Sequence, residues 1–199
     1  MKVVVGGPPH SGKSTFTAGL IERIRERKRQ RGFNISFNWL SLDITDNSLA
    51  YLLDNTGDIS RRNKEIEWNE ETARVRRSTF ESRDEQLVIA DAPGQLTDKL
   101  DVVMEPADIM IVLASDENSE MVEVWEQRAE DLDIEVIKTV ITVLDSDQEL
   151  GWEGEDQRQG TLHSISREDF DERGVVTYDD VSSRMIRQMS RDLIERAVY

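Results

Sequence analysis

Lys2-Val3-Val4-Val5-Gly6-Gly7-Pro8-Pro9-His10-Ser11-Gly12-Lys13-Ser14 decides how the rest of the chain is read. The β-branched run of three valines, stopped by glycine and proline, has the length and composition of a buried strand. Directly after Ser11-Gly12-Lys13, Phe16, Leu20, Ile21 and Ile24 recur at helical spacing and predict a helix over 13–31, ended by Gly32. Between strand and helix, Gly7 to Ser14 fits the pattern G-x-x-x-x-G-K-[ST]. The chemistry requires that context. Gly7 and Gly12 let the backbone curl around phosphate, and the amides at the helix start point inward with the positive end of the helix dipole. Pro8 and Pro9 have no N–H, so the cradle falls to the amides of His10, Ser11, Gly12, Lys13, Ser14 and Thr15. Lys13 is placed to reach the β and γ phosphates, and the Ser14 hydroxyl to bind Mg²⁺. The His10 side chain either approaches the γ-phosphate or a second substrate, or faces solvent.

Working outward, strand and helix patterns alternate. A second strand is expected over 33–42, a loop over 54–64, and a helix over 68–83 whose face carries Trp68, Thr72, Val75 and Thr79 beside Phe80. Leu87-Val88-Ile89-Ala90, 109–113 and 134–143 read as further strands; Met121, Val122, Trp125 and Ala129 mark the helix between the last two. Residues 145–160 are acidic, with three glycines, and read as a loop, followed by a short strand over 161–166. Thr177 and Asp180 stand in capping-box spacing before Val181, Met185, Met189 and Leu193, a final helix. Continuous apolar strands alternating with helices predict an α/β fold with a mainly parallel sheet covered by helices on both faces, three layers in one P-loop NTPase domain over 1–199.

Asp91 closes an apolar strand, where a carboxylate can hold Mg²⁺ or its waters beside a phosphate loop. Asp91-Ala92-Pro93-Gly94 also reads D-x-x-G, whose glycine amide could sense a γ-phosphate and make the following segment a switch. The strand ending Ile141-Thr142-Val143-Leu144-Asp145 lacks the N/T-K-x-D element that reads guanine, so ATP is expected in preference to GTP. Asp43 and Asp46 follow the second strand, at the carboxyl edge where open α/β sheets bind ligands; each is a candidate catalytic base or a turn residue. Arg74, Arg76, Arg77 and Arg83 lie on the helix before Asp91 and either clamp phosphate, Arg76 and Arg77 above all, or pair with Glu70, Glu71, Glu81 and Asp84.

The 199 residues carry a net charge of −16 and no cysteine, which excludes disulfides, zinc–cysteine clusters and cysteine nucleophiles. The surplus of carboxylates disfavours nucleic acid and anionic membranes as partners. Arginine-biased bases and carboxylates spread along the chain predict a halophilic host. No apolar run approaches the roughly 20 residues of a membrane span, and the N-terminal run breaks at Gly6-Gly7-Pro8-Pro9 before a signal core forms, so a cytoplasmic location is expected.

The phosphate loop resembles the proline-bearing loops of nucleotide kinases. More widely, Gly6 to Ser14, Trp68 to Arg77, Leu87 to Gly94 and Ala107 to Leu113 are similar to the P-loop domain fused to CRISPR-associated cyclic-oligoadenylate phosphodiesterases, a comparison spanning about residues 1 to 145. That family often has a glycine pair after the aspartate where this chain has Ala92-Pro93-Gly94. The resemblance implies a kinase-like nucleotide-binding fold linked to antiviral signalling, with phosphate-loop roles for Lys13 and Ser14. Two functions are therefore expected. One is an ATP- and Mg²⁺-dependent phosphotransferase or NTPase acting on an unidentified acceptor. The other is a nucleotide-gated switch, GTPase-like in its D-x-x-G element, acting through a protein partner.

Overall fold

In the computed structural model, which describes residues 1–31, 34–43, 48–54, 68–144, 150–163 and 180–199, the three valines become the centre of a sheet. Val3 and Val5 point to one face and Val4 to the other, and all three are fully buried. A strand with both faces apolar needs helices on both sides, because either face left in water would cost about 25 cal/mol per Å² of exposed apolar surface. In chain order the elements are β1 (Lys2–Gly6), α1 (Lys13–Arg31), β2 (Phe37–Ser41), α2 (Ser48–Asp54), α3 (Glu70–Glu81), β3 (Leu87–Asp91), α4 (Asp98–Met104) and β4 (Ile109–Ser115). A 3-10 turn (Asp116–Met121) then leads to α5 (Val122–Asp131), β5 (Glu135–Val143), β6 (Gly151–Glu153), β7 (Gln159–His163) and α6 (Asp180–Val198).

The seven strands run in the order β2-β3-β1-β4-β5-β7-β6, all parallel except β6, which pairs antiparallel with β7. Phe16, Leu20 and Ile21 of α1, Leu49 and Leu52 of α2, and Met185, Ile186 and Leu193 of α6 cover one face with Val3 and Val5. Ala73 and Phe80 of α3, Leu100 and Val103 of α4, and Trp125 of α5 cover the other with Val4. After β1 the chain turns toward β2, whereas after β3 it crosses to β4 on the far side of β1. The carboxyl ends of β1 and β3 therefore flank a topological switch point, where open sheets leave a crevice.

Several expectations need correction. The second strand spans Phe37–Ser41, shorter than 33–42, although the Ser36 carbonyl still accepts from Leu87 N at 3.1 Å; residue 33 lies outside the described residues. The 145–160 stretch is not all loop. Residues 151–153 form β6 and Gln159 opens β7, because the Trp152 ring packs on Gly160 and gives an otherwise polar segment an apolar anchor. Lys138 covers that ring, its Nζ 4.4 Å from the centroid, and burial lowers the pKa of its ammonium. The helix read over 68–83 spans Glu70–Glu81, capped by Asn69, whose side chain accepts from the Thr72 amide at 3.0 Å. Its inner face is Ala73 and Phe80, and Val75 is 62% exposed. The seven-residue spacing of a small and a large apolar residue sets that face, which the branched side chain of Val75 obscured. Helix α4 fell in no expected element. Residues 145–149, Asp46, the 55–64 part of the expected loop, and Thr177 lie outside the described residues. Among the described residues no helix is long and apolar enough to cross a membrane.

Candidate phosphate-binding site

The loop between β1 and α1 is built by contacts that leave its shape little freedom. Gly7 has φ of 144°, and a Cβ placed there would lie 1.7 Å from the Leu113 carbonyl oxygen. The first turn of the loop is pressed against β4, and only glycine fits. Gly12 follows with φ of 75°, and between them His10 takes φ of 62° with its side chain exposed. On the far side, Thr142 Oγ1 in β5 donates to the Ser11 carbonyl at 3.3 Å. Sequence reasoning passed over Thr142. Its signal was a hydroxyl inside an otherwise apolar strand end.

Lys13 is only 8% exposed, and its Nζ donates to the Pro8 carbonyl at 2.7 Å, with Ser11 Oγ at 3.5 Å. The ammonium thus lies across the inside of the loop, bonded to the loop's own backbone. The Pro8 carbonyl accepts this bond; the donors a phosphate needs come from the amides beyond Pro9. Ser14 Oγ donates to Asp91 Oδ2 at 2.7 Å, and Asp91 is 5% exposed at the end of β3, in register with Val5 and Ser41. The switch-point topology therefore joins the loop and the carboxylate, 77 residues apart in sequence. A hydroxyl and a carboxylate oxygen side by side are a hard-oxygen donor pair that suits Mg²⁺. Among the described residues no group of three His, Cys, Asp or Glu stands together to hold a cation. The remaining ligands of Mg²⁺ at Ser14 and Asp91 would come from phosphate and water.

The D-x-x-G segment closes over the same loop. A Cβ on Gly94 would lie 2.7 Å from the Pro9 nitrogen and 3.1 Å from Lys13 Nζ. Nothing larger than glycine can approach the loop this closely without displacing it.

The other carboxylate and arginine candidates divide. Leu42 N donates to the Asp91 carbonyl at 2.8 Å and Ser41 Oγ to the Asp43 carbonyl at 3.0 Å, so Asp43 stands at the carboxyl edge just beyond the level of Asp91. Arg76 of α3 is half-buried; burial lowers its guanidinium pKa, and the charge of Asp43 opposes that shift. The structure thus brings Asp43 and Arg76 into one electrostatic neighbourhood. It takes Arg77 elsewhere, with Nε 2.8 Å from Glu105 and Nη1 3.6 Å from Glu81, bridging α3 to the end of α4. Arg74 pairs with Glu70 at 3.1 Å, and Arg83 lies 4.0 Å from Glu85. Thr15 is buried at the start of α1.

No protein-family model matches the chain, and no curated protein sequence matches it. Solved structures do. The septum site-determining protein MinD of Pyrococcus horikoshii, complexed with Mg-ADP, superposes with a TM-score of 0.68 at 10% identity, covering 99% of this chain and 96% of that one. MinD in a MinC–MinD cell division complex of Aquifex aeolicus gives 0.66 at 13% identity, over 98% and 96%. Cobyrinic acid a,c-diamide synthase of Mycobacterium smegmatis, with a bound ATP analogue and magnesium, gives 0.61 at 14% identity, over 98% and 94%. At such identities the likeness concerns the fold. The chain folds as the MinD-like P-loop ATPases do, with a seven-strand, mostly parallel sheet flanked by helices and the G-x-x-x-x-G-K-S loop at its switch point.

Proposed function

We propose that this chain is a Mg²⁺-dependent, ATP-binding P-loop NTPase whose D-x-x-G segment responds to the bound nucleotide. The observation that carries the reading is the joining of Ser14 to Asp91 at 2.7 Å while Gly94 lies against Pro9 and Lys13. One locus then holds the phosphates, the cation ligands and the segment that would move. Solved structures of the same fold contain Mg-ADP and an ATP analogue with magnesium, which supports the choice of ligand.

On this reading the amides of His10 to Thr15 bind the phosphate chain. Lys13 exchanges the Pro8 carbonyl for phosphate oxygens and offsets the charge that builds on the transferring group. Mg²⁺, when bound, neutralises charge on the β and γ oxygens. Asp43 accepts the proton of the attacking water as its oxygen bonds to the γ phosphorus; the bond to the bridging oxygen breaks and ADP leaves with that electron pair. Arg76, in the field of Asp43, adds positive charge at the same edge. Arg77, held by Glu81 and Glu105, is left out of the reaction.

A second reading keeps the same site and replaces water with an acceptor hydroxyl, giving the kinase-like phosphotransferase. The electrostatic influence of Asp43 on Arg76 supports it, because a carboxylate and a cation at the carboxyl edge could receive an anionic acceptor. Where transfer is slow, the protein acts as a switch for a protein partner; the solved MinC–MinD complex, of the same fold, supports a protein as that partner, and a role in CRISPR-linked signalling would be one such case. Phosphate release from Mg-ATP, with and without fractionated metabolite extract, tests the set. ADP formed without matching free phosphate identifies transfer, and Lys13→Ala binding ATP like the native chain would sink the whole assignment.

A further inference from the structure

Helix α5 lies over β4 and β5, whereas α6 lies over β6 and β7 from the opposite face of the sheet. On the α5 side a groove of about 910 Å³ therefore opens between α5 and the β6–β7 hairpin. Its floor follows from strand register. Thr139 of β5 stands opposite Val112, which packs under α5, and opposite Gln159 of β7, which in turn stands opposite Glu153 of β6. Thr139, Gln159 and Glu153 thus form one row on that side. Thr139 is 6% exposed, and its Oγ1 donates to Glu126 of α5 at 2.6 Å, which fixes that carboxylate over the floor. The groove continues to Asp108 and Glu135 at the amino ends of β4 and β5, the edge of the sheet opposite the phosphate loop.

Seven carboxylates and two bases line this groove. Both bases are engaged by backbone: Lys138 Nζ donates to the Gln157 carbonyl at 2.6 Å, beside the Trp152 ring, and Arg158 Nη2 donates to the Val136 carbonyl at 2.9 Å. Glu135 pairs with Arg196 at 3.3 Å, and Asp108 lies 3.9 Å from the terminal ammonium. Glu126 and Glu130, four apart on α5, Asp133 just past its end, and Glu153 across the groove form no ion pair among the described residues. Nor do the carboxylates converge on a point, since among the described residues no three acidic groups gather to hold a metal ion. Negative charge distributed along two walls complements cations that are themselves distributed along a chain.

We infer that this groove is the docking site for a lysine- or arginine-rich segment of a protein partner. The carboxylate walls take the cationic side chains. Between them the Gln159 side chain, with both a donor and an acceptor, matches a peptide main chain, whereas a polyamine would answer the carboxylates alone. The inference rests on the fold and stands apart from the phosphate-loop reading.

The test titrates a fluorescent octapeptide of alternating arginine and serine, carrying a central benzophenone, into the native chain at about 0.15 M KCl. Two triple variants follow. One combines Glu126→Gln, Glu130→Gln and Glu153→Gln in the groove; the other combines Glu71→Gln, Glu117→Gln and Glu120→Gln, three exposed carboxylates elsewhere, and has the same net charge. The groove variant should bind the peptide about tenfold or more weakly, and the control variant within about twofold of the native chain. Equal losses in the two would reduce the effect to net charge and overturn the inference, as would a native chain that does not bind the peptide. Illumination of the native complex needs no substitution and should label residues 126–139 and 151–159; labels confined to other segments overturn the inference. Spermine binding more tightly than the peptide, with the same dependence on Glu126, Glu130 and Glu153, would give the groove to a polyamine and overturn the peptide assignment.

Discussion

Ser14 Oγ donates to Asp91 Oδ2 at 2.7 Å, and this bond joins the start of α1 to the end of β3 across the switch point of the sheet. The serine and the aspartate hold each other in the orientation in which both oxygens could bind one cation. Their energetic weight is then expected to appear in the magnesium dependence of nucleotide binding more than in folding.

Asp91→Asn should therefore weaken Mg-ATP binding by about tenfold to a hundredfold, and Ser14→Ala by a similar factor. In EDTA the variants and the native chain should bind ATP alike. Calorimetric titration with and without Mg²⁺ reads both quantities, and an equal deficit in EDTA would mean the pair merely props up the loop.

Gly7→Ala should be among the most damaging single substitutions. The added methyl would meet the Leu113 carbonyl at 1.7 Å at a φ of 144°, so loop or strand must move, at a cost of about 3 kcal/mol or more. Urea unfolding measures it; a native midpoint would show that β4 gives way at little cost.

Asp43→Asn should lower the rate of phosphate release by about a hundredfold or more while leaving the ATP affinity within a few-fold. Arg76→Met should lower the rate less, because the carboxyl edge of the site would lose one positive charge. Arg77→Met, by contrast, should cost stability through Glu105 and leave the chemistry intact. Single-turnover rates across pH distinguish the three.

Glu85 offers a pH prediction away from the site. Asn38 Nδ2 donates to its Oε1 at 2.6 Å, and that bond, with a backbone amide, holds its carboxyl below the usual glutamate pKa. A carboxylate with a lowered folded-state pKa adds stability above its ordinary range and loses it as pH falls through the lowered value. Asn38→Ala should thus destabilise most at neutral pH, the difference from the native chain narrowing on acidification. Thermal melts at stepped pH would show the opposite trend if the bond were unimportant.

A net charge of −16 predicts that salt stabilises the fold. Raising KCl to molar levels shortens the screening length to about 3 Å and removes self-repulsion, so Tm should climb steeply before it levels. A flat profile would remove the halophilic expectation.

The strand–loop–helix start was legible because Val3 to Lys13 packs strand composition, turn residues and phosphate chemistry into consecutive positions, and local signals sufficed. Where the answer depended on a distant partner, the chain gave less away. Arg76 and Arg77 are adjacent and chemically identical; only the placement of Asp43 and Glu105 separates a site residue from a helix bridge. Helix α4 is seven residues with Leu100, Val103 and Met104 inward, too short for a period to emerge. Strand β6 has three residues and depends on Trp152 packing on Gly160, where Met185 also reaches, contacts that no local pattern encodes. Thr142 was hidden similarly, its partner Ser11 lying 131 positions away.

Trp125 lies fully buried on α5, and its ring would touch a Cβ on Gly6 at 2.9 Å, directly beneath the start of the phosphate loop. Its indole N–H has no hydrogen-bond partner among the described residues. An indole so shielded emits toward the blue, and its quantum yield follows small shifts of the groups around it. The chain therefore carries an intrinsic optical gauge at the hinge of the loop, readable in stopped flow without any label.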